Sequence, residues 1–161
     1  MRQRRHALLI PLMLGLTSCT EAPGELALVN SSAVEAQVEG LPGGPVVVPP
    51  SETHRLQPGE QPLKLTLQLA GQESEVKIAP PGPRGLALWD LGGSACFVHA
   101  DYSAFYTEPA NRPASVVVLG VVPRGTAPWT SEGPISRGPG QRLPRRLPST
   151  GAEAIVRIPC E

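Results

Sequence analysis

Cys96 and His99, three positions apart, come closest to a chemical constellation in this chain. A thiol beside an imidazole can be drawn as an activated nucleophile, with His54 as a second source of the base. Gly92-Gly-Ser-Ala-Cys96 brushes the G-x-S-x-G turn that presents a nucleophilic serine, but it ends in Cys and no helical pattern follows. It reads as a turn. His99 and Asp101 lie two apart on one strand face and could supply two metal ligands. No third ligand stands at metal-site spacing, and neither H-E-x-x-H nor C-x-x-C occurs. Glu35 with Glu39, and Glu73 with Glu75, could be the paired carboxylates of glycoside hydrolysis, but they fall on the solvent faces of strands. Gly40 to Pro45 contains two prolines and no following Lys-Ser/Thr, so it is not a phosphate-cradling loop. These residues assign no catalytic group, no metal and no cofactor. Trp129, Tyr102, Phe105 and Tyr106 could line a sugar- or peptide-binding surface; core packing accounts for the Tyr and Phe, and less readily for a Trp in a Pro/Gly loop.

The elements that must position these residues read as strands. Glu25 to Asn30 is a first apolar run, and in Ala33–Glu39 the residues Val34, Ala36 and Val38 alternate with polar ones. Gly40 to Pro45 is a turn cluster, Val46 to Val48 a short strand stopped by Pro49-Pro50, Thr53 to Leu56 a brief segment, and Gln57-Pro-Gly-Glu60 a turn. Leu63 to Leu69 alternates most cleanly, with four Leu on one face and Lys64, Thr66 and Gln68 on the other. A turn at Ala70 to Glu73 leads to Ser74–Ile78, and the proline-rich Ala79–Gly85 is a stiff connection. Leu86–Leu91 and Ala95–Tyr102 flank Gly92-Gly93, which predicts a hairpin, and the aromatic-rich stretch through Tyr106 is expected to be the densest part of the core. Ser115–Val122 is expected to be a buried or edge strand. From Pro123 to Gly151 proline and glycine recur with little periodicity, which predicts a long loop or flexible segment holding Trp129, Arg142, Arg145 and Arg146. Ala152–Ile158 recovers strand character.

The N-terminus carries an address. Arg2, Arg4 and Arg5 precede the uncharged apolar run Ala7–Leu16, which has about half the ~20 residues that a membrane-spanning helix needs. Leu16-Thr17-Ser18-Cys19 then resembles the lipobox of bacterial lipoproteins. The resemblance implies cleavage between Ser18 and Cys19 and lipidation of Cys19; two or more acyl chains hold a protein durably on a membrane. Thr20, where an Asp would direct inner-membrane retention, fits an outer-membrane destination. A second resemblance covers residues 25–78. Val38-Glu-Gly40, Pro49-Pro50, Leu56, Pro58-Gly59 and the Leu63/Leu65/Leu67 strand resemble the spacing of PEGA-type small β-sandwich modules of envelope proteins, without their literal signature. Such modules bind or support rather than catalyse.

Without residues 1–18 the chain holds 143 residues, enough for one domain with a core, and eleven basic against fourteen acidic groups give it a net charge of −3. No basic stripe is present to neutralise phosphates, so nucleic acid is excluded as a partner class. Twenty prolines and seventeen glycines favour short strands and turns over long helices. With Cys19 taken by lipid, Cys96 and Cys160 remain as an even pair in an oxidising compartment; they form a disulfide or stay as two buried thiols.

The resulting expectation is a mostly β, antiparallel sandwich-like single domain. Its segments are a signal peptide (1–18), a lipidated tether (19–24), a β-domain (25–122), a Pro/Gly-rich loop (123–151) and a closing strand (152–161). The expected role is a non-enzymatic, envelope-anchored binding or structural module, held to the membrane through Cys19 and meeting an envelope protein or glycan through Trp129, Arg142, Arg145 and Arg146. An accessory subunit of an envelope assembly or secretion machine is the alternative, and an envelope hydrolase with an unrecognised site stands behind it.

Overall fold

The computed structural model describes residues 21–107, 116–147 and 151–160. The lipobox and Cys19 lie outside the described residues. Among the described residues, eleven strands and one short helix follow in order. They are β1 (Glu25–Val29), β2 (Ala36–Glu39), β3 (Val46–Val48), β4 (Thr53–Leu56), β5 (Leu63–Leu69), β6 (Gln72–Ile78), β7 (Leu86–Asp90), β8 (Cys96–Asp101), α1 (Ser103–Thr107), β9 (Val117–Val122), β10 (Trp129–Thr130) and β11 (Glu153–Ile158). The chain is mostly β and its sheets are largely antiparallel, in keeping with a sandwich-like single domain.

The layering follows from which strands are apolar on both faces. β1 and β7 are buried nearly throughout and pair in parallel, Leu26 with Ala87 and Leu28 with Trp89. Parallel pairs need cover on both sides, and both sides are covered. One face of this central sheet (order β10-β7-β1-β4) presents Leu26, Leu28, Ala87 and Trp89 to Val38, Val48, Leu65, Leu67 and Ile78 of the sheet ordered β3-β2-β5-β6. The other face presents Ala27, Val29, Leu86 and Leu88 to Phe97, Val122 and Ile155 of the sheet ordered β11-β8-β9. A sandwich of two sheets needs only one such core; here the central sheet is shared between two.

The β5 alternation holds, with Leu65 and Leu67 buried and Lys64 and Gln68 outward. Between β2 and β3 the chain turns tightly. Gly40 has φ +84°, and a Cβ there would come 2.3 Å from the Lys64 carbonyl oxygen. Asn30, fully buried after β1, ties two layers together. Its amide donates to the carbonyls of Val34 (2.7 Å) and Val48 (2.8 Å), while its Oδ1 accepts from the Ser32 amide and hydroxyl.

Several sequence expectations need correction. Gly92-Gly93 is a turn but not a hairpin, because β7 belongs to the central sheet and β8 to a flanking one. The corner is held by the Asp90 carboxylate accepting from the Ala95 amide (2.8 Å), and Gly92 lies so close to Ser31 and Ser32 that a Cβ would come 2.5 Å from the Ser32 nitrogen. Val34 lies outside β2 and is exposed, since the chain bends around Asn30 before the strand begins. Tyr102, Phe105 and Tyr106 are half-buried around α1, so the densest packing lies instead at Leu26, Leu28 and Trp89. Of the two choices for Val117–Val122, the edge position is the observed one.

The 123–151 segment carries β10, which extends the central sheet by pairing Trp129 with Leu88 and Thr130 with Ala87. Around it the backbone is repeatedly tethered. The Trp89 indole donates to the Thr126 carbonyl, the Ser131 hydroxyl accepts from the Leu86 amide, and the Ile135 amide donates to Arg84. Arg55 donates to the Pro139 carbonyl and pairs with Glu25, and the Tyr106 hydroxyl donates to the Pro144 carbonyl. The described part of the segment is a strap across the central sheet.

Candidate functional site

Cys96 and Cys160 form a disulfide, with 5.4 Å between their Cα atoms. It joins the start of β8 to the end of the chain beyond β11, extending a pairing that runs from Glu153–Asp101 to Ile158–Cys96. Cys96 is therefore not a thiol nucleophile. His99 sits elsewhere in a hydrogen-bonded pair: its Nε2 lies 2.7 Å from a carboxylate oxygen of Glu153 on β11, and donates to it. The Trp129 ring meets the imidazole edge-on, with centroids 6.2 Å apart. Asp101 turns to a different task. Its carboxylate accepts from the Ser103 hydroxyl and the Ser103 amide (2.7 Å), and these bonds hold its pKa below the ordinary carboxylate value. His99 and Asp101 thus serve separate partners, and among the described residues no three His, Cys, Asp or Glu side chains group as metal ligands.

His99, Trp129 and Glu153 line one groove of about 540 Å³, together with Leu119 to Val122, Thr130, Glu132 and Gly133. Its floor is made by β8 and β9. His99 stands directly opposite Gly120, which has no side chain, and a Cβ built there would meet nothing within 4 Å. The register slips between His99 and Ala100, leaving Leu119 as an extra residue in β9. Such bulges bend an edge strand and interrupt its pairing. Trp129 is thus held over the groove by β10, whereas Arg142, Arg145 and Arg146 are exposed and do not line it. The Arg142 carbonyl accepts from Arg137, which lines a separate cleft of about 380 Å³ with Arg84, Glu25 and Gln141. The structure does not bring Trp129 and the arginines to one site. His99 and Glu153 were not paired by sequence reasoning, because 54 residues separate them.

Beside the groove, β9 ends its sheet: its outer edge has no neighbouring strand among the described residues. Val117, Val118, Leu119 and Val121 are 55, 58, 48 and 73% exposed. A strand edge with free N–H and C=O groups and apolar side chains is a template for another strand, and proteins ordinarily blunt such edges with charge, proline or cover. Among the described residues the remaining edges are short, charged or tied down: β10 is only two residues long. β6 carries Glu73, Glu75 and Lys77; β3 has three residues between Pro45 and Pro49; β4 is tied to the strap by Arg55; and β11 is bonded to Ser136 and Arg137. β9 has six residues, no charge and no internal proline.

No family model, curated protein or solved structure matches this chain.

Proposed function

We propose that this chain is an envelope-anchored lipoprotein acting as a non-enzymatic binding module, and that it takes an extended segment of a partner protein onto the free edge of β9. The observation that carries the reading is the uncharged edge strand β9, with Val117, Val118, Leu119 and Val121 exposed, where the other edges among the described residues are short, charged or tied down. In strand addition, main-chain hydrogen bonds give affinity and pockets for alternate side chains give specificity. The membrane anchor is supported by the residues leading to Cys19. Holding the domain on a surface raises the effective concentration of a partner on the same surface. The outer membrane is the proposed location, on Thr20. An accessory role in an envelope assembly machine would use the same edge.

The test compares the full-length chain in membranes with Cys19→Ala and with the pair Val118→Lys/Val121→Lys. One envelope protein crosslinked stoichiometrically to β9, and lost in the lysine variant but not in a Glu73→Lys control, supports the reading. Equal recovery with both variants overturns it. Loss of membrane retention in Cys19→Ala supports the anchor, and unchanged retention removes it.

A second reading, an envelope hydrolase, draws on the His99–Glu153 pair, in which a carboxylate orients an imidazole as it would a general base. It predicts turnover of ester, peptide or glycoside substrates that His99→Gln abolishes.

A further inference from the structure

We infer that the groove beside β9 is a specificity pocket for one lysine or arginine side chain of the strand that docks there. The inference rests on the proposed strand addition and names what that strand must carry. Its first support is register. A residue of the added strand lying opposite Gly120 is on the same sheet face as Gly120 and His99, since directly paired residues share a face. Successive strands stand ~4.8 Å apart, so this residue is roughly 10 Å from His99 across the sheet, with only the bare Gly120 backbone between. A long, unbranched side chain can cross that gap.

Charge then selects among long side chains. The groove is walled by the carboxylates of Glu153 and Glu132, by the His99 imidazole and by the Trp129 ring, and no lysine or arginine lines it. Glu153 is steered by His99, whose Nε2–H occupies one of its oxygens, which leaves lone pairs for a second donor. Trp129 supplies an aromatic surface for the cation's methylenes and charge. A purely apolar side chain would meet Trp129 and the β9 residues but leave the two carboxylates unused, and an acidic one would face them as like charges.

The experiment uses the full-length chain in detergent micelles and the peptides Thr-Val-Thr-X-Thr-Val-Thr, with X as Lys, Arg, norleucine or Glu. Affinity is read by fluorescence anisotropy, and docking on β9 by amide exchange of Val117–Val122. The expected result is that all but the Glu peptide slow exchange in β9. The Lys and Arg peptides should bind about five- to ten-fold tighter than norleucine at low salt, as a partly desolvated ion pair and cation–π contact allow. In Glu132→Gln/Glu153→Gln, and separately in Gly120→Leu, that preference should vanish while the protection of β9 persists. Equal affinities for Lys and norleucine, or a preference kept in both variants, overturn the inference and leave strand addition standing. No protection of β9 by any peptide overturns strand addition and the inference with it.

Discussion

At the residue scale, the polar side chains of this domain hold corners more than they compose a reactive centre. Asn30 satisfies the carbonyls of Val34 in the adjoining bend and of Val48 in the neighbouring layer with its amide, and takes the Ser32 donors on its oxygen. Asn30→Ala leaves the buried Val48 carbonyl without its donor and should cost about 2–3 kcal/mol in a denaturant titration. Asn30→Asp should cost more above pH 5, because it turns a carboxylate oxygen toward those carbonyls. Asp101 has the opposite design, a carboxylate serving local donors. Its folded pKa lies below the unfolded value of 3.8 because the Ser103 hydroxyl and amide bond the charged form, with a smaller contribution from His99. A depressed folded pKa adds stability that is complete above the unfolded value and is lost as pH falls through the folded one. The stability advantage of the native chain over Asp101→Asn should therefore be level above about pH 5 and shrink below 3.8. Parallel melting curves from pH 6 to pH 2 check it; an advantage that grows with acid would contradict the assignment.

At the element scale, local pattern was legible and partnership was not. The four-leucine face of Leu63–Leu69 specifies a strand and its buried side without any knowledge of its neighbours. The hairpin expected at Gly92-Gly93 fails because adjacency in sequence says nothing about a chain that leaves one sheet for another; Asp90 and the close approach at Gly92 create that corner through contacts with Ala95 and with Ser31–Ser32, the latter some 60 residues away. Trp129 stood out as an aromatic in a Pro/Gly segment, yet its partner His99 belongs to a different sheet. The disulfide was legible by counting, and its position makes it a latch. It closes a 64-residue separation and secures the end of β11 against β8, so replacing both cysteines with serine should lower stability by about 2–4 kcal/mol. Reductant should shift the unfolding midpoint of the native chain toward that of Cys96→Ser/Cys160→Ser and leave the variant unmoved.

At the scale of the molecule, one sheet serves two cores, and that arrangement determines how the fold comes apart. Trp89 and Leu28 face one flanking sheet while Leu88 and Val29 face the other, so neither core can be lost without exposing a face of β1 and β7. Leu65→Ala opens the first core and Phe97→Ala the second, each by removing a buried side chain worth about 3–4 kcal/mol. If the cores were independent, each substitution would melt its own half and split the unfolding transition. Sharing β1 and β7 couples them, so each single variant should keep one cooperative transition with a lowered midpoint. Hydrogen exchange resolves the same point by position. The amides of Leu26–Val29 and Ala87–Trp89 should exchange only through global opening, and slow together in both variants' native ensembles relative to β6 and β9. The outer strands β6 and β9 should open locally at far lower cost. Fast exchange in β1 while β5 stays protected would mean that the layers separate, and that the central sheet is a seam.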